Sequence, residues 1–306
     1  MKDYHPEGFL INSDENQKYI SNKTGLLLAQ SNQTILEANV IMCDSEHNLI
    51  VDLGHMRGII PREEGAIGIS EGTTRDIALI SRVGRPVCFL VEDFSFDKLG
   101  KEQALLSRKR AQKKCLEHIL NYKTPGDIID ARITHLESFG AFCDIGCGNI
   151  ALLPIDSISV SRISHPKDRF SVGDKIKAII KHVDENNKIT LSHKELLGTW
   201  LENAQNFSQG QTVSGVVRSV ENYGIFVELA PNFAGLAEPR LDVKVGQTAS
   251  VFIKSIISEK MKIKLIIIDN FDVEYDNTYK YFYTGDHISE FIYSPPESQK
   301  QINTYF

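Results

Sequence analysis

One block of this chain occurs twice. Gly126 opens an alternating stretch that runs into Phe139-Gly140-Ala141-Phe142, and Gly210 opens another that runs into Tyr223-Gly224-Ile225-Phe226. Both pairs of landmarks are 84 residues apart. A repeat of that length constrains the fold before any single motif does, because each copy has to close a core of its own. Within the copies, Ile129, Ala131 and Ile133 alternate with polar neighbours, and Val213, Gly215 and Val217 hold the same slots. Period-two patterning with one apolar face describes a half-buried strand.

Each copy continues with a strand at the aromatic-glycine element and a short strand ending near Leu153-Pro154 or Leu236–Pro239. A Val-Gly turn (Val172-Gly173, Val245-Gly246) and two more strands follow. Five short strands in roughly 75 residues predict a small closed barrel. The last copy lacks a counterpart to Ser159–Arg169, which is expected to form a small helix or loop in the middle copy. Upstream of residue 107 a divergent copy is discernible: Gly58-Ile59-Ile60-Pro61 parallels Ile150–Pro154, and Val83-Gly84 parallels the Val-Gly turn. There His47 and Ile50 stand where the aromatic pair would be, so that copy is expected to keep the fold without the surface.

Two helical spacers are predicted. Ser107 opens Arg108–Asn121, which Pro125-Gly126 stops, and Ser192 with Glu195 reads as a capping box for a helix through Leu201. The run Arg108–Lys114 is read as a solvated helix face rather than a contact surface, and Phe170, Phe252 and Trp200 as packing residues.

The net charge of -6 argues against bulk attraction to a polyanion, but its distribution is uneven. The acids Asp269, Asp272, Glu274, Asp276, Asp286, Glu290 and Glu297 crowd the last segment against Lys280 and Lys300, while bases exceed acids in the last repeat. Local positive patches are enough to steer an anionic chain. The five cysteines are odd in number and lack a framework spacing, so reduced thiols in the cytoplasm are expected. Cys143 and Cys147, with His135 upstream, lack the second ligand pair of a zinc site, and strand packing is the reading; no metal or cofactor is expected. No apolar run has the length of a membrane helix, and no hydrophobic signal core opens the chain, so no membrane partner is expected.

The aromatic-Gly-x-aromatic element is the sharpest motif. Residues three apart on a regular strand point to opposite sides, so the glycine must permit a bulge or a strand start that turns both rings outward. Outward rings flanked by cations suit unpaired bases and their phosphates. Candidate cations are Arg132, Lys177, Lys181 and Lys188 in the middle copy, and Arg218, Lys254, Lys262 and Lys264 in the last.

These elements together, with Asp144-Ile145-Gly146, Leu152-Leu153-Pro154, Val172-Gly173-Asp174 and Ile189-Thr190-Leu191-Ser192, resemble the S1 RNA-binding domain, the OB-fold repeat of ribosomal protein S1. The resemblance is strong over 126–268, weaker over about 35–110 and absent from the tail. It implies a mainly β fold of tandem five-stranded OB-fold barrels joined by short helices. It also implies an RNA surface of Phe139, Phe142, Pro154, Asp184 and Lys188 in the middle copy, and of Tyr223, Phe226, Glu238 and Lys262 in the last, where Ser258 replaces the acid. With Lys177, Arg218 and Lys254 added from the cation pattern, these are the predicted binding residues.

The chain is thus expected to comprise an N-terminal extension (1–34), a divergent OB-fold repeat (35–106), a linker helix (107–124), an RNA-binding repeat (125–192), a second linker helix (193–208), another RNA-binding repeat (209–268) and an acidic, aromatic-rich tail (269–306), read as a β-rich hairpin docked on a neighbouring barrel. The expected function is non-enzymatic binding of single-stranded RNA, mRNA in particular, in translation, with the small ribosomal subunit as a further partner. A ribosome- or transcription-associated scaffold is the alternative reading, and an accessory role in RNA decay a lesser one. No P-loop, HExxH or clustered aspartates point to catalysis.

Overall fold

The computed structural model describes residues 4–273 and 279–306; Glu274 and Asp276 of the acidic tail lie outside them. Three closed barrels of five strands follow one another. The first comprises β1 (Leu36–Cys43), β2 (Leu49–Asp52), β3 (Arg57–Ile60), β4 (Pro86–Phe96) and β5 (Glu102–Ser107). The middle one comprises β6 (Ile128–Glu137), β7 (Gly140–Asp144), β8 (Ile150–Pro154), β9 (Lys175–Val183) and β10 (Ile189–Ser192). The last comprises β11 (Thr212–Glu221), β12 (Gly224–Ala230), β13 (Phe233–Ala237), β14 (Thr248–Ile257) and β15 (Lys262–Phe271). In each, the third strand lies parallel to the fifth, as Ile59 to Leu105, Leu152 to Thr190 and Leu236 to Lys264 show. That parallel pair closes the sheet and removes its edges, the OB-fold closure that the resemblance implied.

Two compact units divide the chain. One holds the chain up to Lys123 with residues 130–132 and 144–150; the other holds 124–129, 133–143 and everything from Ala151 on. In the first unit, the segment before β1 packs with the barrel. Helices α1 (Asp14–Ile20) and α2 (Lys23–Asn32) are capped by Ser13 and Asn22. The Asn16 side chain donates to Glu37 O and accepts from Glu37 N, each at 2.8 Å, and Glu37 itself is fully buried. A single turn, α3 (Ile77–Ile80), interrupts the path from β3 to β4. The long helix α4 (Arg108–Tyr122) starts where Ser107 Oγ accepts from Arg110 N.

The basic run on α4 is not a solvated face throughout. Arg108 is buried against Glu7, with Nε and Nη2 at 2.6 and 2.9 Å from its carboxylate. Arg110 pairs with Glu92, and Lys114 Nζ reaches Gln33 O. A guanidinium removed from water needs a carboxylate beside it, and the N-terminal segment supplies one.

In the second unit the predicted continuous helix after Ser192 does not form. Ser192 Oγ donates to Glu195 instead of capping; a 3-10 turn, Lys194–Leu197, ends at Gly198 with φ +83°. A second start then follows, α5 (Trp200–Ala204), for which Thr199 and Glu202 form the capping box. Leu196, Leu197 and Trp200 are buried, with Trp200 against Phe233 of the last barrel. Phe170 is buried as expected, and Phe252 is half-buried.

The last segment does form a hairpin, β16 (Glu290–Ile292) paired with β17 (Asn303–Tyr305). It is sewn to both barrels of its unit. Ile128 N donates to Asp286 O, Ile288 N to Gly126 O, Trp200 N to Tyr293 O, and the Tyr293 hydroxyl to Asn232 O. Tyr279 and Tyr281 close over His193, which is fully buried between them and Phe170. The Ile158 carbonyl can only accept, so Nδ1 of His193 carries the proton and Nε2 accepts from the Tyr281 hydroxyl. Burial pushes this imidazole down to about 4. Phe291 and Tyr293 join the core of the last barrel. Among the described residues no helix is long and apolar enough to cross a membrane.

Candidate nucleic-acid interface

The aromatic-glycine element works by a strand start. Strands β7 and β12 begin at Gly140 and Gly224, leaving Phe139 and Tyr223 just ahead of them. The glycine is needed because the next strand passes too close: a Cβ at Gly140 would lie 2.6 Å from Leu153 O, and one at Gly224 2.7 Å from Ala237 O. The ring before the strand is therefore free to turn outward. Phe139 is 55% exposed and Tyr223 68%. Phe142 and Phe226 are half-buried beneath them, meeting the outer rings edge to face at centroid distances of 6.0 and 6.2 Å. The same two-ring platform thus stands on both barrels, each outer ring held by the inner one.

On the last barrel the platform borders a groove of about 570 Å³. Strand register builds its floor: Phe226 sits opposite Leu236, and Leu236 opposite Lys264. Lys254, Lys262 and Glu238 line the rim. Glu238 comes one residue beyond the Ile225–Ala237 pair, which sets it beside Gly224 and the Tyr223 ring. Its carboxylate lies 3.9 Å from Lys254 Nζ, with the two side chains 82% and 56% exposed. An ion pair so open to water is weak, and both groups are available to a ligand.

Lys254 owes its place to a β-bulge. It is the residue skipped between the pairs Ile253–Leu265 and Ser255–Lys264. Lys181 is skipped at the matching point of the middle barrel, between Ile180–Leu191 and His182–Thr190. Lys181 Nζ donates to Ser157 Oγ at 3.1 Å. In the first barrel the skipped residue is Glu92, between Val91–Leu106 and Asp93–Leu105.

The other predicted residues distribute unevenly. Pro154 ends β8, half-buried. Lys188 is exposed after the β9–β10 turn, and Asp184 Oδ1 is engaged in that turn, accepting from Asn186 N and Lys188 N at 2.8 Å each. Lys177 lies on the outer side of β9 where the tail arrives, its backbone N–H donating to the Tyr281 hydroxyl. The bulge register makes Lys181, not Lys177, the counterpart of Lys254.

Arg218 does not face a ligand. Its side chain is 10% exposed and pairs with Glu228 (Nε–Oε2 3.1 Å), while Nη2 donates to Asp168 O. Glu228 is shared with Arg169, whose Nη1 and Nη2 lie 2.6 and 2.9 Å from its two oxygens. Arg169 belongs to the insertion Ser159–Arg169, where His165 and Asp168 cap the turn Pro166–Asp168. The insertion therefore fastens the middle barrel to the last one, and Arg218 is a member of that buried joint. Sequence reading missed Leu236 as groove floor; strand alternation and the 84-residue offset from Leu152 were the available signals.

The arrangement offers flat apolar faces next to ammonium groups, with hydrogen-bonding side chains at the rim. It holds no nucleophile–base pair, and no cluster of three or more metal-ligating side chains occurs among the described residues.

The profile described as S1 RNA binding domain matches residues 122–194. Small ribosomal subunit protein bS1 of Staphylococcus aureus (strain COL) is 30% identical over 253 residues, which is 77% of this chain and 62% of that protein. The bS1 of Staphylococcus epidermidis is 29% identical over 276 residues, 84% of this chain and 65% of that protein. The chain thus spans less than two thirds of the length of these relatives. A crystal structure of a multidomain protein with nucleic acid binding domains from Streptococcus pneumoniae aligns over 77% of this chain and 73% of its own, at 15% identity, with a TM-score of 0.24. Residues 122–194, which include the Phe139 platform, belong to the S1 RNA-binding domain family, and the chain as a whole resembles bacterial ribosomal protein S1.

Proposed function

We propose that this chain binds single-stranded RNA, mRNA among its ligands, through the outer faces of its middle and last barrels, in a role in translation like that of ribosomal protein S1. The observation that carries the reading is the platform of one exposed and one supporting ring, built twice at the same strand start beside lysines. Bases stack on such rings at about 1–3 kcal/mol each, and lysines follow the phosphates. Two modest sites on one chain raise overall affinity through effective concentration, so neither barrel has to bind tightly. Stacking accepts every base, which suits a protein that holds many messages. The activity is binding rather than catalysis.

The test is the double variant Phe139→Ala with Tyr223→Ala, measured by fluorescence anisotropy on a short single-stranded oligonucleotide. A short oligonucleotide occupies one barrel at a time, so affinity is expected to fall by about 1–3 kcal/mol, with an unchanged unfolding midpoint because both rings are outside the cores. Wild-type affinity in that variant would remove the RNA reading for these faces.

A second reading concerns the first barrel, whose equivalent face carries Ile50, Ile59 and Leu105, while Glu92 at the bulge is drawn to Arg110. Aliphatic side chains with no ring pair among them fit a protein surface better than RNA, and we assign that face to a protein partner, with the small ribosomal subunit the first to test by co-sedimentation of an Ile59→Asp variant. Undiminished co-sedimentation would free this face of that role.

A further inference from the structure

The rim of the groove on the last barrel is not chemically neutral toward the four bases. Glu238 and Lys254 stand together beside the Tyr223 ring, a carboxylate and an ammonium group 3.9 Å apart and both open to solvent. A base stacked on Tyr223 would turn its hydrogen-bonding edge toward this pair. The order of groups it offers is acceptor, acceptor, donor: two carboxylate oxygens, then an N–H of the ammonium.

Only one RNA base presents the complement. Guanine shows two adjacent donors, the N2 amino group and N1–H, followed by the O6 acceptor. Uracil has a single N–H between two carbonyls. Adenine and cytosine each place a ring-nitrogen acceptor beside their amino group, and a carboxylate repels it. A carboxylate bridging two neighbouring N–H groups is a charge-assisted bidentate contact, and the ammonium on O6 adds a third bond in register.

We propose that Glu238, with Lys254, makes the last barrel selective for guanine in single-stranded RNA. The proposal rests on the RNA-binding reading of this face and adds specificity to it. The middle barrel serves as an internal control: Pro154 occupies the position 84 residues before Glu238, so no carboxylate is there, and Lys181 is turned to Ser157 Oγ. The middle barrel stacks bases without choosing; the last one chooses.

The experiment uses the full chain carrying Phe139→Ala, which mutes the middle platform. Binding is measured by anisotropy to an all-uridine oligonucleotide of roughly nine residues, a length within the range one such fold occupies. The same oligomer with one central guanosine, adenosine or cytidine completes the set. The guanosine oligomer is expected to bind about 5-fold tighter or better than the other three, the lower end of what a bidentate base contact supplies. Glu238→Gln, exposed and therefore harmless to the fold, is expected to bring the four affinities together. The ratio is the readout, because loss of a negative charge raises binding to every oligomer. Lys254→Met should lower the guanosine ratio while leaving it above one. Equal binding of all four oligomers by the Phe139→Ala chain would overturn the proposal, as would a guanosine preference that survives Glu238→Gln; in both cases RNA binding itself stands. Failure to bind any oligomer would instead take down the RNA reading of this face, and the selectivity with it.

Discussion

The first and last barrels share strand order, the parallel closure and even the bulge, yet they display opposite chemistry. Across corresponding register positions the first presents Ile50, Ile59 and Leu105, and the last presents Phe226, Leu236 and Lys264. At the skipped residue Glu92 faces Lys254 in the comparison, with Lys181 of the middle barrel siding with the last. The bulge is thus a fixed feature of the scaffold, but what it does with its side chain differs: Glu92 is drawn to Arg110 of α4, Lys181 reaches Ser157, and Lys254 is left at the groove rim. Fold and surface are separable here: inward residues have to close a cylinder, while outward ones answer only to what they bind.

The largest effect separates what holds the last barrel from what it displays. Glu228→Ala leaves the guanidinium groups of Arg169 and Arg218 in a joint where they are 1% and 10% exposed. A stability loss of about 3–5 kcal/mol is expected in urea unfolding, because a buried charge loses its partner. A change below about 1 kcal/mol would show that water enters the joint and that Arg218 is closer to the surface than its burial indicates.

The second effect is a pH dependence that the first barrel does not share. His193 ordinarily titrates at 6.5 but stays neutral in the fold until about 4. Between those values the unfolded chain takes up a proton that the folded chain refuses, so stability falls as pH drops from 6.5 toward 4. Between pH 7.5 and 4.5, wild type should lose about 2–3 kcal/mol more than His193→Gln. In the other unit, Asp144 is raised by burial and by the neighbouring Glu7, and it acts in the opposite sense, gaining stability as pH falls. Both chains keep Asp144, so the difference between them isolates His193. Parallel pH curves for the two would contradict the burial of this imidazole beneath Tyr279 and Tyr281.

The smallest effect sharpens the surface comparison directly. Lys181→Glu with Lys254→Glu reverses the charge of the bulge residue on both faces proposed to bind RNA. The slope of log affinity against log salt should fall in magnitude by about 0.7 for each lysine that contacts a phosphate. An unchanged slope would place the phosphates elsewhere, on Lys188, Lys262 or Lys264.

Much of this organisation was legible in the chain itself. Strand alternation, the Val-Gly turns and the 84-residue repeat marked the barrels because these signals are local: they depend on side-chain period and backbone conformation within a few residues. The outward turn of Phe139 and Tyr223 was legible for the same reason, the glycine beside each ring being a local requirement. The helix after Ser192 was misread because two capping sequences compete there, and a glycine between them at positive φ lets the second one win.

What the sequence determined alone, then, was the number of barrels, their inward faces and the two ring platforms. Tertiary structure decided which charges were left over to act. Arg218 and Lys254 look alike as cations on alternating strands, but Arg169 arrives from a distant segment to share Glu228, Arg218's neighbour across the β11–β12 hairpin, and closes a buried joint over it, while the bulge leaves Lys254 at a groove rim. The physical reason is range: strand period is set by neighbours along the chain, whereas the fate of a charge is set by which opposite charge and how much water stand beside it once the chain has closed.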